Sequence, residues 1–307
     1  MVRRTYRRSQ RGSPAVVALV ALMSAALAAC TSVAPDPDSQ SGGRAGQRGT
    51  AAGPTFTVAT TSQQLEPGFA ELVARTEPEL MVAWAPIGHP DAVQVLGSSD
   101  TLDAWSTIKV PIALAAVQKA GGDLPAQAVQ DLSASLTRSN NDAASRLFKG
   151  LQAYGDPASV VGQVLASAGD TSTQVDGSAF GLTHWGVADS ARFAAALPCE
   201  PYADKVLSAM ENIVADQRWG LGTVEGSVYK GGWGDSSDGY LVRQVGIIRD
   251  PAGVGVGVSL LTQPADRTHA TGTAVLGEAA RWLQQQLVAG DTAACPAAPG
   301  SVGSPSP

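Results

Sequence analysis

The sequence predicts an α+β fold: an antiparallel β-sheet flanked by N- and C-terminal helices, with a helical subdomain inserted. Three observations carry this. Two β-like runs, Glu79–Ala85 and Ala92–Leu96, are separated by Pro86, Gly88 and Pro90, so they form a hairpin. From Ser106 to about residue 215, apolar residues recur at helical spacing. Strand character then returns in Ser227–Lys230, Tyr240–Arg249 and Val254–Thr262. The turn Asp250-Pro251-Ala252-Gly253 makes the last two antiparallel.

The other elements follow in order. Pro67–Arg75 reads as a helix with Phe69, Leu72 and Val73 on one face. A helix from Ser106 through Val117 is stopped by Gly121-Gly122, and helical spacing continues in 126–136, 142–151 and 158–168. Thr273–Ala289 is a last amphipathic helix ended by Gly290, and helices from both termini can cover one sheet face. Gly253, Gly255 and Gly257 alternate with valines, as in a strand lightened beneath a packed neighbour rather than a phosphate cradle.

The ends have a different composition. Arg3, Arg4, Arg7, Arg8 and Arg11 precede an apolar stretch, Val16–Ala29, that is shorter than the about 20 residues a spanning helix needs. It ends Leu27-Ala28-Ala29-Cys30, small residues before a Cys that can be lipid-modified on sulfur. The expected organisation is a lipoprotein signal peptide over 1–29, the lipidated Cys30 with a flexible linker over 30–60, a folded domain over 61–290 and a disordered tail over 291–307. Such a chain is extracytoplasmic and anchored to the membrane. Removing 1–29 takes the net charge from −6 to −11, which disfavours nucleic acid as a partner. Cys199 and Cys295 are expected to pair in an oxidising compartment, and a monomer is expected.

Three short segments hold candidate chemistry. In Trp105-Ser106-Thr107-Ile108-Lys109 a hydroxyl and an amine stand three residues apart at the start of a helix, within reach of one another. A serine is a weak nucleophile until a base takes its proton, and a buried lysine can be that base. The plainer reading is a helix cap and a solvated lysine. Ser139-Asn140-Asn141-Asp142 precedes a helix and reads equally as a proton relay with an amide binder or as an N-cap. Val228-Tyr229-Lys230-Gly231-Gly232-Trp233 puts an ammonium and two glycines on a strand, where a ligand could lie against the backbone; its alternative is a surface Lys before a Gly-rich turn.

Taken together and in order, Ser-x-x-Lys, Ser-x-Asn and Lys-x-Gly resemble the motif set of the class A β-lactamases and the related penicillin-binding serine transpeptidases and carboxypeptidases. The resemblance spans most of 65–290. It includes Gly97-Ser98-Ser99-Asp100-Thr101 before the Ser106 helix and Leu136–Ala144 around the second motif. It implies Ser106 as acylated nucleophile, Lys109 as general base and Ser139 as proton shuttle to the leaving nitrogen. Asn141 would orient the substrate amide and Lys230 would hold the substrate carboxylate. The N–H groups of Ser106 and of Trp233, which follows Gly232, would form the oxyanion hole. The implied substrates are β-lactams or small peptidoglycan-derived amides, with no cofactor.

Two departures qualify that expectation. The family's omega loop carries a Glu-x-x-Leu-Asn segment whose Glu activates the deacylating water. The matching region, Asp170–Trp185, has no Glu, and Asp176 is its nearest carboxylate in the chain. Lys-Thr-Gly has become Lys230-Gly231-Gly232, which removes a hydroxyl, and the short span from Ser106 to Ser139 implies a trimmed helical subdomain. These losses point to slow deacylation. His89, His184 and His269 are scattered and form no metal motif, and no G-x-S-x-G elbow occurs. Three readings therefore stand: a cell-envelope serine hydrolase, a catalytically inactive lipoprotein of the same fold that binds an envelope ligand or partner, and an unrelated lipoprotein whose Ser106 and Lys230 lie far apart.

Overall fold

A computed structural model describes residues 57–296, apart from 78, 99, 237, 238, 250 and 251. The expected signal segment, Cys30, most of the linker and the first two residues of the Asp250–Gly253 turn lie outside the described residues. The strands are β1 (Leu80–Pro86), β2 (Gln94–Leu96), β3 (Thr101–Asp103), β4 (His184–Gly186), β5 (Ser227–Ser236), β6 (Gly239–Arg249) and β7 (Gly255–Thr262). The α-helices are α1 (Ser62–Arg75), α2 (Lys109–Lys119), α3 (Ala126–Thr137), α4 (Asn141–Gly150), α5 (Pro157–Ser167), α6 (Val187–Ala196), α7 (Ala203–Glu211) and α8 (His269–Gln286).

Five strands form one antiparallel sheet in the order β2-β1-β7-β6-β5, so the α+β expectation holds and β5 is an edge. Side chains alternate between its faces. Leu80, Val82 and Trp84 of β1 enter a core with Leu65, Phe69 and Leu72 of α1 and Val275, Leu276 and Ala279 of α8. Met81 and Ala83 meet Val187 and Ala191 of α6 on the other face. Covering on both faces explains why β1 and β7 are buried at every position. The helical part is built around α2, which is buried from Lys109 to Val117 and packs among α3, α4, α5 and α7. A helix enclosed on all sides must be apolar all round, and here Lys109 is the exception.

Local chemistry moves several expected boundaries. α1 starts at Ser62, before the expected Pro67, because Thr61 and Gln64 form a capping box; Gln64 Oε1 accepts from Thr61 N at 2.7 Å. α8 starts at His269, capped by Thr268 Oγ1 accepting from Thr271 N at 3.2 Å, and ends at Gln286 instead of Ala289. β5 runs through its glycines to Ser236 rather than stopping at Lys230, and all ten residues pair with β6. The short β3–β4 pair was not anticipated, since three residues show no periodicity.

The expected domain limits at 61 and 290 also move outward. Asp291 is fully buried, and its carboxylate accepts from Thr60 N at 2.7 Å and Val288 N at 2.9 Å. Gly255 N donates to Ala293 O at 2.8 Å, and Ala293 N returns a bond at 3.1 Å. Cys295 forms the expected disulfide with Cys199. Residues 57–60 and 291–296 therefore belong to the folded domain. Their small, polar composition hid this, because specific bonds rather than apolar bulk hold them.

Candidate active site

Ser106 lies on a 3₁₀ turn, Trp105–Ile108, and Lys109 is the first residue of α2. The expected α-helix is corrected in this first turn, with a useful result: residues three apart eclipse in a 3₁₀ turn, which keeps Ser106 and Lys109 on one side. Trp105 has φ 46°, a conformation a bulky residue keeps only where its surroundings impose it. Here β5 imposes it. A Cβ on Gly232 would come 2.8 Å from Ser106 N, and one on Gly234 would strike the Trp105 indole at 2.5 Å. The glycines let the Ser106 turn lie directly against the edge strand.

The second motif arrives from the α3–α4 junction. Asn140 is the cap of α4, its Oδ1 accepting from Ala143 N at 2.8 Å. The capping reading thus falls on Asn140, while Ser139, at φ 55°, turns its carbonyl and hydroxyl to Lys109. Lys109 Nζ donates to Ser139 O at 2.7 Å, Ser139 Oγ at 3.2 Å and Asn141 Oδ1 at 2.6 Å. Lys230 Nζ donates to Ser139 Oγ at 2.9 Å and Gly231 O at 2.8 Å. Ser139 Oγ therefore accepts from two ammonium groups, and its own hydrogen remains to donate. Lys109 is 1% exposed and Lys230 0%. Burial lowers the Lys109 amine to about 8. Burial, and then the neighbouring charge of Lys109, push Lys230 well below the ordinary lysine range.

These groups open into a cleft of about 440 Å³. Of the predicted residues, Ser106, Lys109, Ser139, Asn141 and Trp233 line it, with Lys230 and Gly232 directly behind. Sequence reasoning missed Trp105, Arg138, Phe180, Gly181 and Gln217 as lining residues. Arg138 and Trp105 each adjoin a motif residue, which was the one available signal. A larger hollow of about 770 Å³ at the Arg249 end of the sheet contains none of the predicted chemistry.

No family model matches the chain and no curated protein matches it. Solved structures do. A representative class A β-lactamase from Bacteroides cellulosilyticus superposes with a TM-score of 0.59 at 14% identity, covering 72% of this chain and 96% of its own. A β-lactamase from Sphaerobacter thermophilus gives 0.54 at 20% identity, over 71% and 96% of the two chains. One from Xanthomonas campestris gives 0.55 at 17%, over 73% and 98%. The chain has the class A β-lactamase fold. The resemblance read in the motifs is thus met by the arrangement of the whole domain, and the reading that set Ser106 far from Lys230 is overturned.

Within this β-lactamase fold the segment Asp170–Trp185 spends its carboxylates locally. Asp170 is buried and accepts from Ser172 N, Thr173 N and Trp185 Nε1. Asp176 accepts from Ser178 Oγ at 2.7 Å, Ala179 N at 2.9 Å and Ser178 N at 2.7 Å, bonds that hold its pKa below the usual carboxylate value. Neither lines the cleft; Phe180 and Gly181 represent this segment there. His184 pairs with Asp103 at 3.4 Å across β3–β4, and the His269 ring packs tilted against the Trp233 ring with centroids 4.7 Å apart. Arg243, opposite Gly232 on β6, was also missed. Its buried guanidinium donates to the carbonyls of Leu102, Asp103 and Trp185, each at 3.1 Å, and so ties the approach to Ser106 to the sheet. Burial lowers its pKa to about 9, with Asp103 opposing.

Proposed function

We propose that this chain is an extracytoplasmic lipoprotein, anchored through Cys30, whose β-lactamase-fold domain accepts an acyl group from a β-lactam or peptide amide on Ser106 and releases it slowly. The observation that carries the chemistry is the Ser139 hydroxyl held between the buried ammonium groups of Lys109 and Lys230. With a pKa of about 8, Lys109 is neutral in about one molecule in ten at pH 7. In that form it takes the Ser106 proton as Oγ bonds to the substrate carbonyl carbon. The N–H groups of Ser106 and Trp233 meet the developing oxyanion. As the C–N bond breaks, Ser139 protonates the leaving nitrogen, and Lys109 returns its proton to Ser139. The leaving group then carries the Ser139 proton, Ser139 holds the one that Ser106 lost, and Lys109 is neutral again. Asn141 accepts from Lys109 through Oδ1, which leaves its amide NH₂ to donate to substrate.

Slow release is supported by the lining of the cleft, which among the described residues includes no carboxylate to activate water. One observation favours a second reading, a binding protein without turnover: the three N–H positions of Lys109 are all taken by Ser139 and Asn141 rather than shared with Ser106.

Mass spectrometry of the domain lacking residues 1–30, after incubation with a fluorescent penicillin, separates these readings. We expect a persistent adduct on the wild type and none on Ser106→Ala. No adduct and no loss of the β-lactam would favour the binding protein. The anchor is tested by detergent phase partition of the full chain. The wild type should enter the detergent phase and Cys30→Ser should not; equal partition would sink the anchor.

A further inference from the structure

We infer that Arg138 reads an anionic group, a carboxylate on the leaving-group half of the substrate, at the mouth of the cleft. The choice of half rests on the acyl-transfer reading above; the charge argument does not.

The chain carries 27 acidic and 21 basic residues, yet its cleft is lined by Lys109 and Arg138 and, among the described residues, by no carboxylate. An anion is therefore the favoured guest. The buried lysines are poorly placed to receive it. Lys109 is 1% exposed with its three N–H positions occupied, and Lys230 is 0% exposed and bonded to Ser139 Oγ and Gly231 O. Lys109 would have to break an existing bond to take an incoming carboxylate, and Lys230, buried behind Ser139, does not line the cleft.

Beside Lys230 in the sheet, neither Gly231 nor its cross-strand partner supplies a free donor side chain. Gly231 lies under the Trp219 indole, where a Cβ would come 2.5 Å from the ring. Gln244, its cross-strand partner, has both ends of its amide engaged. Nε2 donates to Trp219 O at 2.7 Å, and Oε1 accepts from Leu221 N at 2.6 Å. Gly231 and Gln244 thus offer an incoming carboxylate no free side-chain donor.

Arg138 is the contrast. It is exposed, it lines the cleft, and the described residues give its guanidinium no hydrogen bond or ion pair. A guanidinium offers a planar pair of donors that matches a carboxylate. Arg138 directly precedes Ser139, the group that protonates the leaving nitrogen, which puts its charge on the leaving-group side.

The test uses the Ser106→Ala domain, so that binding is read without acylation, with intrinsic tryptophan fluorescence from Trp105 and Trp233 as the signal. Benzylpenicillin and its methyl ester share an acyl half and differ in the anion. We expect the acid to bind more tightly than the ester. Adding Arg138→Ala should weaken the acid by at least about tenfold and leave the ester unchanged, the loss of a charged hydrogen bond. Arg138→Lys should fall between. Acid binding that ignores Arg138→Ala, equal weakening of both ligands, or no saturable binding of the acid would overturn the inference. An adduct on the wild type without any Arg138 dependence would remove this proposal and leave acyl transfer standing; Arg138 dependence without an adduct would do the reverse.

Discussion

In the proposed acyl transfer Lys109 is the residue on which the chemistry turns, because a base is useful only when unprotonated. Its pKa of about 8 lies above neutrality, so the ammonium dominates at pH 7. Below that value each pH unit removes about nine-tenths of the remaining neutral form. The acylation rate constant should therefore rise about tenfold per unit through the acid range and level off above pH 8. Rapid-quench mass spectrometry of adduct formation between pH 6 and 9 measures this; a flat profile would assign the base to another group. The motif residues were legible in the sequence because their spacing is short. Burial of Lys109 was not, since it depends on α3, α4, α5 and α7 closing around α2.

At the scale of elements, the sheet and α6 meet with almost no intervening side chain. A Cβ on Gly257 of β7 would overlap the backbone of Ala194 and Ala195. Gly257→Ala should cost about 1–3 kcal/mol through overpacking, with no loss of cleft chemistry. Gly162, inside α5, faces open space, so Gly162→Ala should instead stabilise by about 0.5–1 kcal/mol through helix propensity. Calorimetry of both variants should give opposite signs of ΔTm; the same sign in both would refute the packing argument. The alternation of Gly253, Gly255 and Gly257 already suggested a closely covered strand, though not which helix covers it. Element ends were read less well than element types. Pro67 looked like a helix start, but the capping box at Thr61 and Gln64 fixes it earlier.

Across the whole molecule, the Cys199–Cys295 disulfide joins the end of the α6 region to the C-terminal segment over a separation of 96 residues. Closing a loop of that size removes unfolded-state entropy worth about 4–5 kcal/mol in the chain-entropy model. Urea unfolding of the Cys199→Ser/Cys295→Ser variant should show a loss of roughly 2–5 kcal/mol. A change under about 1 kcal/mol would mean that the Asp291 and Ala293 bonds hold this segment without the disulfide. The charge pattern is also a property of the whole: in an acidic protein, a cleft lined by Lys109 and Arg138 and, among the described residues, by no carboxylate favours a small anion.

The sequence by itself determined the fold class, the motif order and which candidate groups meet at the cleft, because helical and strand periods and short spacings are local properties. It also named both cysteines and exposed the missing Glu. Tertiary structure decided which donors are free. Lys230, expected to hold a carboxylate, is fully buried and donates to Ser139 Oγ, while Arg138, which no motif included, lines the cleft with no partner among the described residues. Availability of a charge is set by what lies against it in space, and neighbours brought together from 91 residues apart, as Ser139 and Lys230 are, leave no local pattern to read.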